Sequence, residues 1–567
     1  MRRSLLLFAS PLILLAGCAS VGRTPQQAQQ ANPPPAESAY GMFLAGQGAL
    51  NDGHSQDAAR FFDAARSEPG ADQVVSEKAF TAALLSGDIT SAAALAPEGE
   101  DASEAAKRLG ALVRGVEDMA QDHGKLAVAQ LSSSAIAFPH KSAAALLAPW
   151  AAAQAGDVDG SLVQPEVRGD KLVEYFGGLG RGLLFERAKR YDEAETQLKS
   201  AASGDTPSEI AILTYGGFLE RRGRRLDAVA LYEAALGDGS SPEIAAAKAR
   251  AAAGKPAPPA PTLRQGAAQA LLAPTATMIA AKQNQIALAY LRLLLRLDPD
   301  RDDAWVMVGD IMQAGGDTQS ARAAYSRPKA NSPEYIDAQG KLAWTYQQDK
   351  DSGTALKIAR AAAAAASGDS DARLTLADLL RANDQNAESA AILSQLIKEA
   401  PAPDWRLYFG RAVALEKLNR WSEAEADLQA ALKQRPDEPE LLNYLGYSWI
   451  DRRVHLKEGL AMVEKAVGAN PHSGAMVDSL GWAYFRLGDY KQAVEKLEQA
   501  VELDAGDPEV NDHLGDAYWK VGRRDEALFQ WRRVLTLKPD DKIRAKVQAK
   551  LASPLGPDGP PAKMAGE

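Results

Sequence analysis

The apolar and small residues of this 567-residue chain recur in a fixed order with a period of about 34 residues. Two consecutive segments show the order most clearly: LGWAYFRLGDYKQAVEKLEQAVELDA from Leu480 and LGDAYWKVGRRDEALFQWRRVLTLKP from Leu514. Each has Leu-Gly, an aromatic residue three positions after that glycine, Gly after seven positions, Ala after twelve and a bulky apolar residue four positions further on. Such self-similarity predicts a repeat architecture built from one supersecondary unit.

The pattern resembles the tetratricopeptide repeat, a pair of antiparallel helices with small residues at the eighth and twentieth positions. Steps of 34 or 35 residues back from Gly515 give the eighth position of eight units: Gly515, Gly481, Gly446, Ala412, Ala377, Ala343, Gly309 and Thr275. A fainter series in the N-terminal half contains Gly46, Gly115, Gly182 and Gly216. The resemblance implies an all-α fold, an α-solenoid of about 12–14 helix-turn-helix units in two arrays.

Breaks in the pattern divide the chain into segments. The stretch GKPAPPAP at residues 254–261 indicates a stiff, extended connection after an Ala-rich helix that begins near Pro242. We predict a signal peptide at 1–17, a flexible tether at 18–38, a degenerate array at 39–236, an Ala/Pro-rich linker at 237–262, a second array at 263–541, and a capping helix with a disordered tail at 542–567.

The only cysteine, Cys18, follows a short apolar segment with arginines at its start. About a dozen apolar residues are too few to span a bilayer, which needs roughly 20, so the segment is typical of a cleaved signal peptide. LAGC, residues 15–18, resembles the bacterial lipobox, which implies an acylated Cys18 and, because Ala19 is not aspartate, an outer-membrane anchor facing the periplasm of a Gram-negative bacterium. An ordinary signal peptide with an incidental cysteine is the alternative.

Composition and motifs argue against catalysis and nucleic-acid binding. The formal net charge is −10, whereas phosphate backbones require basic faces. The six histidines are scattered without metal-ligand spacing, and there is no nucleophile elbow. GGLGRG at residues 177–182 lacks the ending of a phosphate-binding loop and lies in a helix pattern. We therefore expect a non-enzymatic protein without a metal, whose one added group is a covalent lipid on Cys18.

The first helices of such units line a concave wall, and the aromatic and polar residues placed there are candidates for protein binding. They are Trp344, Asn443, Tyr447, Asp478, Trp482, Phe485, Asp512, Asp516 and Trp519. The aspartates predict an acidic end of the wall that suits a basic or neutral protein surface. Two alternatives stay open: the aromatic residues pack on the neighbouring repeat, or the charges form only a solvated face.

The block from Leu441 to Asp541, with the phrases DSLGWA and HLGDAYW and a short insertion at residues 452–455, resembles the C-terminal part of proteobacterial outer-membrane lipoproteins with these repeats. The better understood members are adaptors that tether and activate a periplasmic carboxy-terminal processing protease and gather its cell-wall hydrolase substrates. The resemblance implies such a scaffold here. An assembly or trafficking factor for an outer-membrane, pilus or polysaccharide-export complex is the alternative.

Overall fold

The computed structural model describes residues 38–68, 73–203, 208–237 and 241–552. Regular secondary structure in these ranges is α-helical. Cys18, the signal peptide, almost all of the tether and the tail from residue 553 lie outside the described residues. The chain divides into two compact units, an N-terminal unit that ends at Ala366 and a C-terminal unit that begins at Ser367.

The helices of the N-terminal unit are short, mostly between 7 and 17 residues. They are α1 (Ala39–Asn51), α2 (Ser55–Ser67), α3 (Gln73–Ser86), α4 (Ile89–Leu95), α5 (Glu104–Ala120), α6 (Gly124–Leu131), α7 (Lys141–Gln154), α8 (Val158–Ser161), α9 (Lys171–Arg187), α10 (Tyr191–Ala202), α11 (Glu209–Arg221), α12 (Arg225–Leu236), α13 (Pro242–Ala252), α14 (Leu263–Ala270), α15 (Leu272–Ala280), α16 (Asn284–Leu297), α17 (Asp302–Ala314), α18 (Thr318–Tyr325), α19 (Tyr335–Gln348) and α20 (Ser352–Ala365).

The C-terminal unit continues with helices of 12 to 14 residues. They are α21 (Ser370–Ala382), α22 (Asn386–Glu399), α23 (Trp405–Lys417), α24 (Trp421–Gln434), α25 (Pro439–Asp451), α26 (Leu456–Ala469), α27 (Gly474–Leu487), α28 (Tyr490–Leu503), α29 (Pro508–Lys520), α30 (Arg524–Thr536) and α31 (Asp541–Ala552). The last helix packs on α29 and α30, and buries Val547 there.

Consecutive helices pack in pairs, and the described part of the chain contains fourteen such pairs. Six pairs lie in α1–α12 and eight in α15–α30. The prediction of an all-α solenoid of helix-turn-helix units is confirmed. Short turns between the helices bring sequence neighbours together, which is the reason the repeat period alone predicts the local contacts.

A glycine of the first helix lies against a large side chain sixteen residues later in the second helix. A Cβ added at Gly481 would lie 2.6 Å from Leu497 Cγ, and one at Gly515 2.5 Å from Trp531 Nε1. The same spacing joins Gly46 to Phe62, Gly115 to Leu131, Gly182 to Leu198, Gly216 to Tyr232 and Gly309 to Tyr325. The small residue at the eighth position of the repeat therefore makes room for the bulky side chain at position 24, sixteen residues later. The sequence pattern suggested only the small residue at position 20.

The predicted linker at 237–262 does not separate two arrays. Within it α13 packs on α11 and α12 and buries Ile244 and Ala247, and the helix that follows, α14, packs on α7 and α9. A Cβ at Gly266 of α14 would lie 2.1 Å from the Trp150 ring of α7. The boundary between compact units is at Ala366 instead.

The helices before and after the predicted linker belong to one unit because of α16, which is apolar around most of its circumference and must be covered on several sides. It packs on α15 and α17 and also on α3, α4 and α5, far back in the chain. Arg296 donates two hydrogen bonds to the Glu117 carboxylate, at 2.7 and 3.0 Å. His140 Nδ1 lies 2.7 Å from the Tyr290 hydroxyl. Buried residues of the second to sixth pairs thus share one continuous core with α16, whereas Ala58 and Phe62 of the first pair belong to a smaller cluster with α3.

Across the described ranges we find no helix with the length and apolar character that crossing a membrane requires.

Candidate protein-binding site

Three first helices of the C-terminal unit lie in series, since α25 contacts α27 and α27 contacts α29, and we call the surface that they form the first-helix wall. Repetition produces this wall, because each repeat places its first helix beside that of the next repeat. Eight of the nine predicted binding residues lie on these helices: Asn443, Tyr447, Asp478, Trp482, Phe485, Asp512, Asp516 and Trp519. Trp344 does not, since it lies on α19 of the N-terminal unit with 37% of its surface exposed.

A stack of three rings joins α27 to α29. The Trp482 indole stacks with the Phe485 ring at a centroid distance of 4.7 Å and with the His513 imidazole at 4.0 Å. Trp482 is only 7% exposed, and within the described residues its indole N–H has no acceptor. Its main role is therefore to pack one repeat on the next, and Phe485, which is half-buried, is the more accessible ring of the pair.

His513 was missed by the sequence prediction, which treated the histidines as scattered. It is buried, and its Nδ1 lies 3.0 Å from a carboxylate oxygen of Asp478. Burial alone would lower the pKa of His513, but the charge and the hydrogen bond of Asp478 outweigh it, so that the pKa is raised. The separation of 35 residues, one repeat plus one, is the signal that could have predicted this pairing.

The predicted acidic end of the wall is already neutralised within the chain. Lys550 of α31 donates hydrogen bonds to Asp512 at 2.6 Å and to Asp516 at 2.5 Å. Lys546 lies 2.9 Å from Asp512. Both aspartates are almost fully buried, at 2% and 1% exposure, and Asp478 is paired with His513. The expectation that these three carboxylates present an exposed acidic surface is therefore wrong, because the capping helix and the next repeat cover them.

Tyr447 and Asn443 of α25 extend the wall beside the ring stack, and both are half-buried. Burial and the negative charges of Glu509 and Asp451 raise the pKa of Tyr447. The Asn443 amide oxygen is enclosed and has no hydrogen-bond donor in the described part of the chain. The accessible chemistry here is apolar and aromatic with a phenol, which suits contact with a protein surface.

Trp519 lies at the far end of the wall and is half-buried. Its ring centroid is 5.5 Å from that of Trp531, and the Arg524 guanidinium lies 5.1 Å from its ring. These neighbours belong to α30 of the same repeat, so that Trp519 contributes to packing as well as to the surface.

Family models for the tetratricopeptide repeat match four segments of the C-terminal unit: residues 374–439, 409–453, 481–522 and 508–541. These segments contain tetratricopeptide repeats, which typically form protein-protein interaction scaffolds. Each model describes the repeat, and none describes a catalytic domain.

A TPR repeat-containing protein of Pseudomonas aeruginosa is 32% identical over 126 residues, which cover 22% of this chain and 21% of that relative. The chain therefore matches about a fifth of the relative's length. Among solved structures, the APC/C hetero-tetramer Cut9-Hcn1 is 15% identical with a TM-score of 0.40, and the match covers 90% of this chain and 96% of that one. A repeat protein from Thermus thermophilus is 23% identical with a TM-score of 0.30, covering 33% and 100% of the two chains.

Proposed function

We propose that the protein is a scaffold whose first-helix wall in the C-terminal unit binds another protein. The observation that carries the proposal is the pair of half-buried aromatic residues on neighbouring first helices, Tyr447 and Phe485. Large aromatic side chains of this kind dominate binding energy at interfaces, because they bury much area at a small entropic cost. The neutralised carboxylates favour a partner with an apolar contact surface over a strongly basic one.

The more specific part of the proposal concerns where in the cell the protein is anchored and which protein it binds. Cys18 carries a lipid that tethers the chain to the outer membrane facing the periplasm, and the partner is a periplasmic processing protease together with its cell-wall hydrolase substrates. Support comes from the LAGC sequence before the only cysteine and from the resemblance of the block between Leu441 and Asp541 to lipoprotein adaptors. A scaffold of this kind acts by raising the effective concentration of two proteins that it holds together.

Partner binding is tested by capturing the full-length protein from crosslinked, detergent-solubilised envelopes and identifying the proteins that co-purify. The variant Tyr447→Ala/Phe485→Ala should lose the partner. Phe529→Ala is the matched control, because Phe529 is 61% exposed on α30, a second helix outside the wall. A protease lost only in the wall variant supports the adaptor proposal, whereas a membrane-embedded assembly partner without a protease contradicts it. If the wild type, the wall variant and the Phe529→Ala control capture the same amount of partner, the proposal that the first-helix wall binds it is contradicted.

The anchor has its own test. Cys18→Ser should move the protein from the membrane fraction to the periplasmic extract and abolish the mass added by acyl chains. A wild-type N-terminus without added acyl mass would contradict the proposed lipidation and leave the binding proposal standing.

A further inference from the structure

A cavity of about 310 Å³ lies in the N-terminal unit, whereas the first-helix wall belongs to the C-terminal unit. It is bordered by the turn between α9 and α10, the end of α11 and the extended segment after α13. Trp150 and Leu183 line it and are both buried, at 3% and 5% exposure. The cavity therefore has an apolar floor made by the core of the unit.

Four of the eight other lining residues are cationic. Arg221 is bound by two hydrogen bonds of 2.8 Å to Glu186, and this pair is neutral. Arg187, Lys189 and Arg222 also line the cavity and are exposed at its rim. Among the described residues no carboxylate lies within ion-pair distance of these three side chains. The cavity thus carries about three uncompensated positive charges.

One of these cations is held in place by an aromatic ring. The Arg222 guanidinium lies 3.7 Å from the centroid of Tyr191, which also lines the cavity. A cation over an aromatic face is attracted to the electron-rich ring, and the contact favours a guanidinium held at the rim. Like charges that converge on one concavity focus a positive field there, although the whole chain has a net charge of −10.

We propose that this cavity binds an acidic segment of a partner polypeptide, with one apolar side chain on the Trp150–Leu183 floor and carboxylates at the cationic rim. The apolar floor distinguishes such a ligand from a small inorganic anion, which would gain nothing from it. The site is independent of the proposed first-helix wall, and it makes the N-terminal unit a second binding surface. A scaffold with two separate sites can hold two proteins at once.

The test uses the full-length protein and fluorescence anisotropy of a fluorescein-labelled peptide, acetyl-Glu-Glu-Asp-Phe-Glu-Glu. We expect saturable binding that weakens at least tenfold in Arg187→Ser/Arg222→Ser and weakens with added salt, since exposed ion pairs are screened. The matched control is Lys171→Ser/Lys199→Ser, which removes two exposed cations of the same unit outside the cavity and should leave binding unchanged. Replacing the peptide's phenylalanine by serine should also weaken binding several-fold.

Three results would overturn the proposal. They are absence of binding to the wild-type protein, equal weakening in both double variants, and complete displacement of the peptide by millimolar inorganic phosphate. The last result would identify a site for small anions that does not use the apolar floor. Circular dichroism of the cavity variant must match the wild type, and since both arginines are exposed, the fold should be retained.

Discussion

Replacing Lys550 by methionine should detach the capping helix α31 from the repeat that it covers. Lys550 is 10% exposed and is bonded to both Asp512 and Asp516. Methionine retains much of the apolar stem of the lysine and removes the charge, so that the variant tests the ion pairs rather than the packing. Asp512 keeps Lys546 at 2.9 Å, whereas the hydrogen bond that Asp516 keeps among the described residues is from the Trp531 indole N–H at 3.1 Å.

Removing one partner of a buried ion pair costs about 3–5 kcal/mol, because the remaining charge is left without compensation. Since Asp512 retains a second lysine, we expect the lower end of that range, about 3 kcal/mol at pH 7.5. Burial already raises the pKa of Asp516 despite Lys550, so this carboxylate can take up a proton in the variant. The loss should therefore be smaller at pH 5 than at pH 7.5.

The assay is hydrogen exchange followed by mass spectrometry, which reports the local opening of individual helices. In Lys550→Met, amides of α29 and α31 should exchange on the order of 100-fold faster than in the wild type, as about 3 kcal/mol implies. Lys542→Met is the control, because Lys542 is exposed on the same helix. The double variant Lys550→Met/Asp516→Asn should recover part of the protection.

Unchanged exchange in α29 and α31 of Lys550→Met would refute the reasoning. It would mean that the two aspartates are solvated, and that the acidic end of the wall is available to a partner after all.

Three further predictions concern packing and pH. Gly481→Ala should destabilise the C-terminal unit by about 1–3 kcal/mol through overpacking against Leu497, whereas Gly468→Ala, with open space around it, should be neutral or stabilising; protease resistance of the unit distinguishes the two. Burial and the nearby carboxylates of Asp303 and Asp337 raise the pKa of Glu334 to about 7 from 4.5, so that the free energy of unfolding falls as the pH rises from 4.5 through 7. Glu334→Gln should therefore raise the thermal midpoint at pH 8 but not at pH 4.5. Burial lowers the pKa of His140 to about 4 from 6.5, so that the stability contributed by the neutral imidazole is complete above pH 6.5 and is lost as the pH falls through 4. This contribution amounts to about 3 kcal/mol. The thermal midpoint of His140→Gln should therefore fall less steeply between pH 7 and 4 than that of the wild type, and parallel pH profiles of the two proteins would contradict the prediction.

The repeat spacing predicted about 12–14 helix pairs, and the described ranges contain fourteen, because every pair depends on contacts between residues close in sequence. Gly481 and Leu497 are one example, sixteen residues apart in the same unit. The closure around α16 was not predictable in this way. It depends on contacts such as Glu117 with Arg296, which are 179 residues apart and follow no period.

The candidate site was predicted in position but not in accessibility. Register along the repeat placed Tyr447, Trp482 and Phe485 on first helices of one wall. Whether a side chain at such a position faces solvent depends on the next repeat, and Trp482 is covered by His513 of α29. Asp516 is likewise covered by a later part of the chain, where Lys550 binds it. Lys550 lies one period after Asp516, and this spacing is the signal that could have predicted the pair.

The central claim is that the first-helix wall binds a protein through Tyr447 and Phe485. The most direct measurement is photocrosslinking in intact cells from a benzoylphenylalanine residue placed at Tyr447, with the same residue at Phe529 as the control. We predict a discrete crosslinked species from the first position that Phe485→Ala abolishes, and none from the second. Identical crosslinking from both positions, or a species that survives Phe485→Ala, would contradict the account.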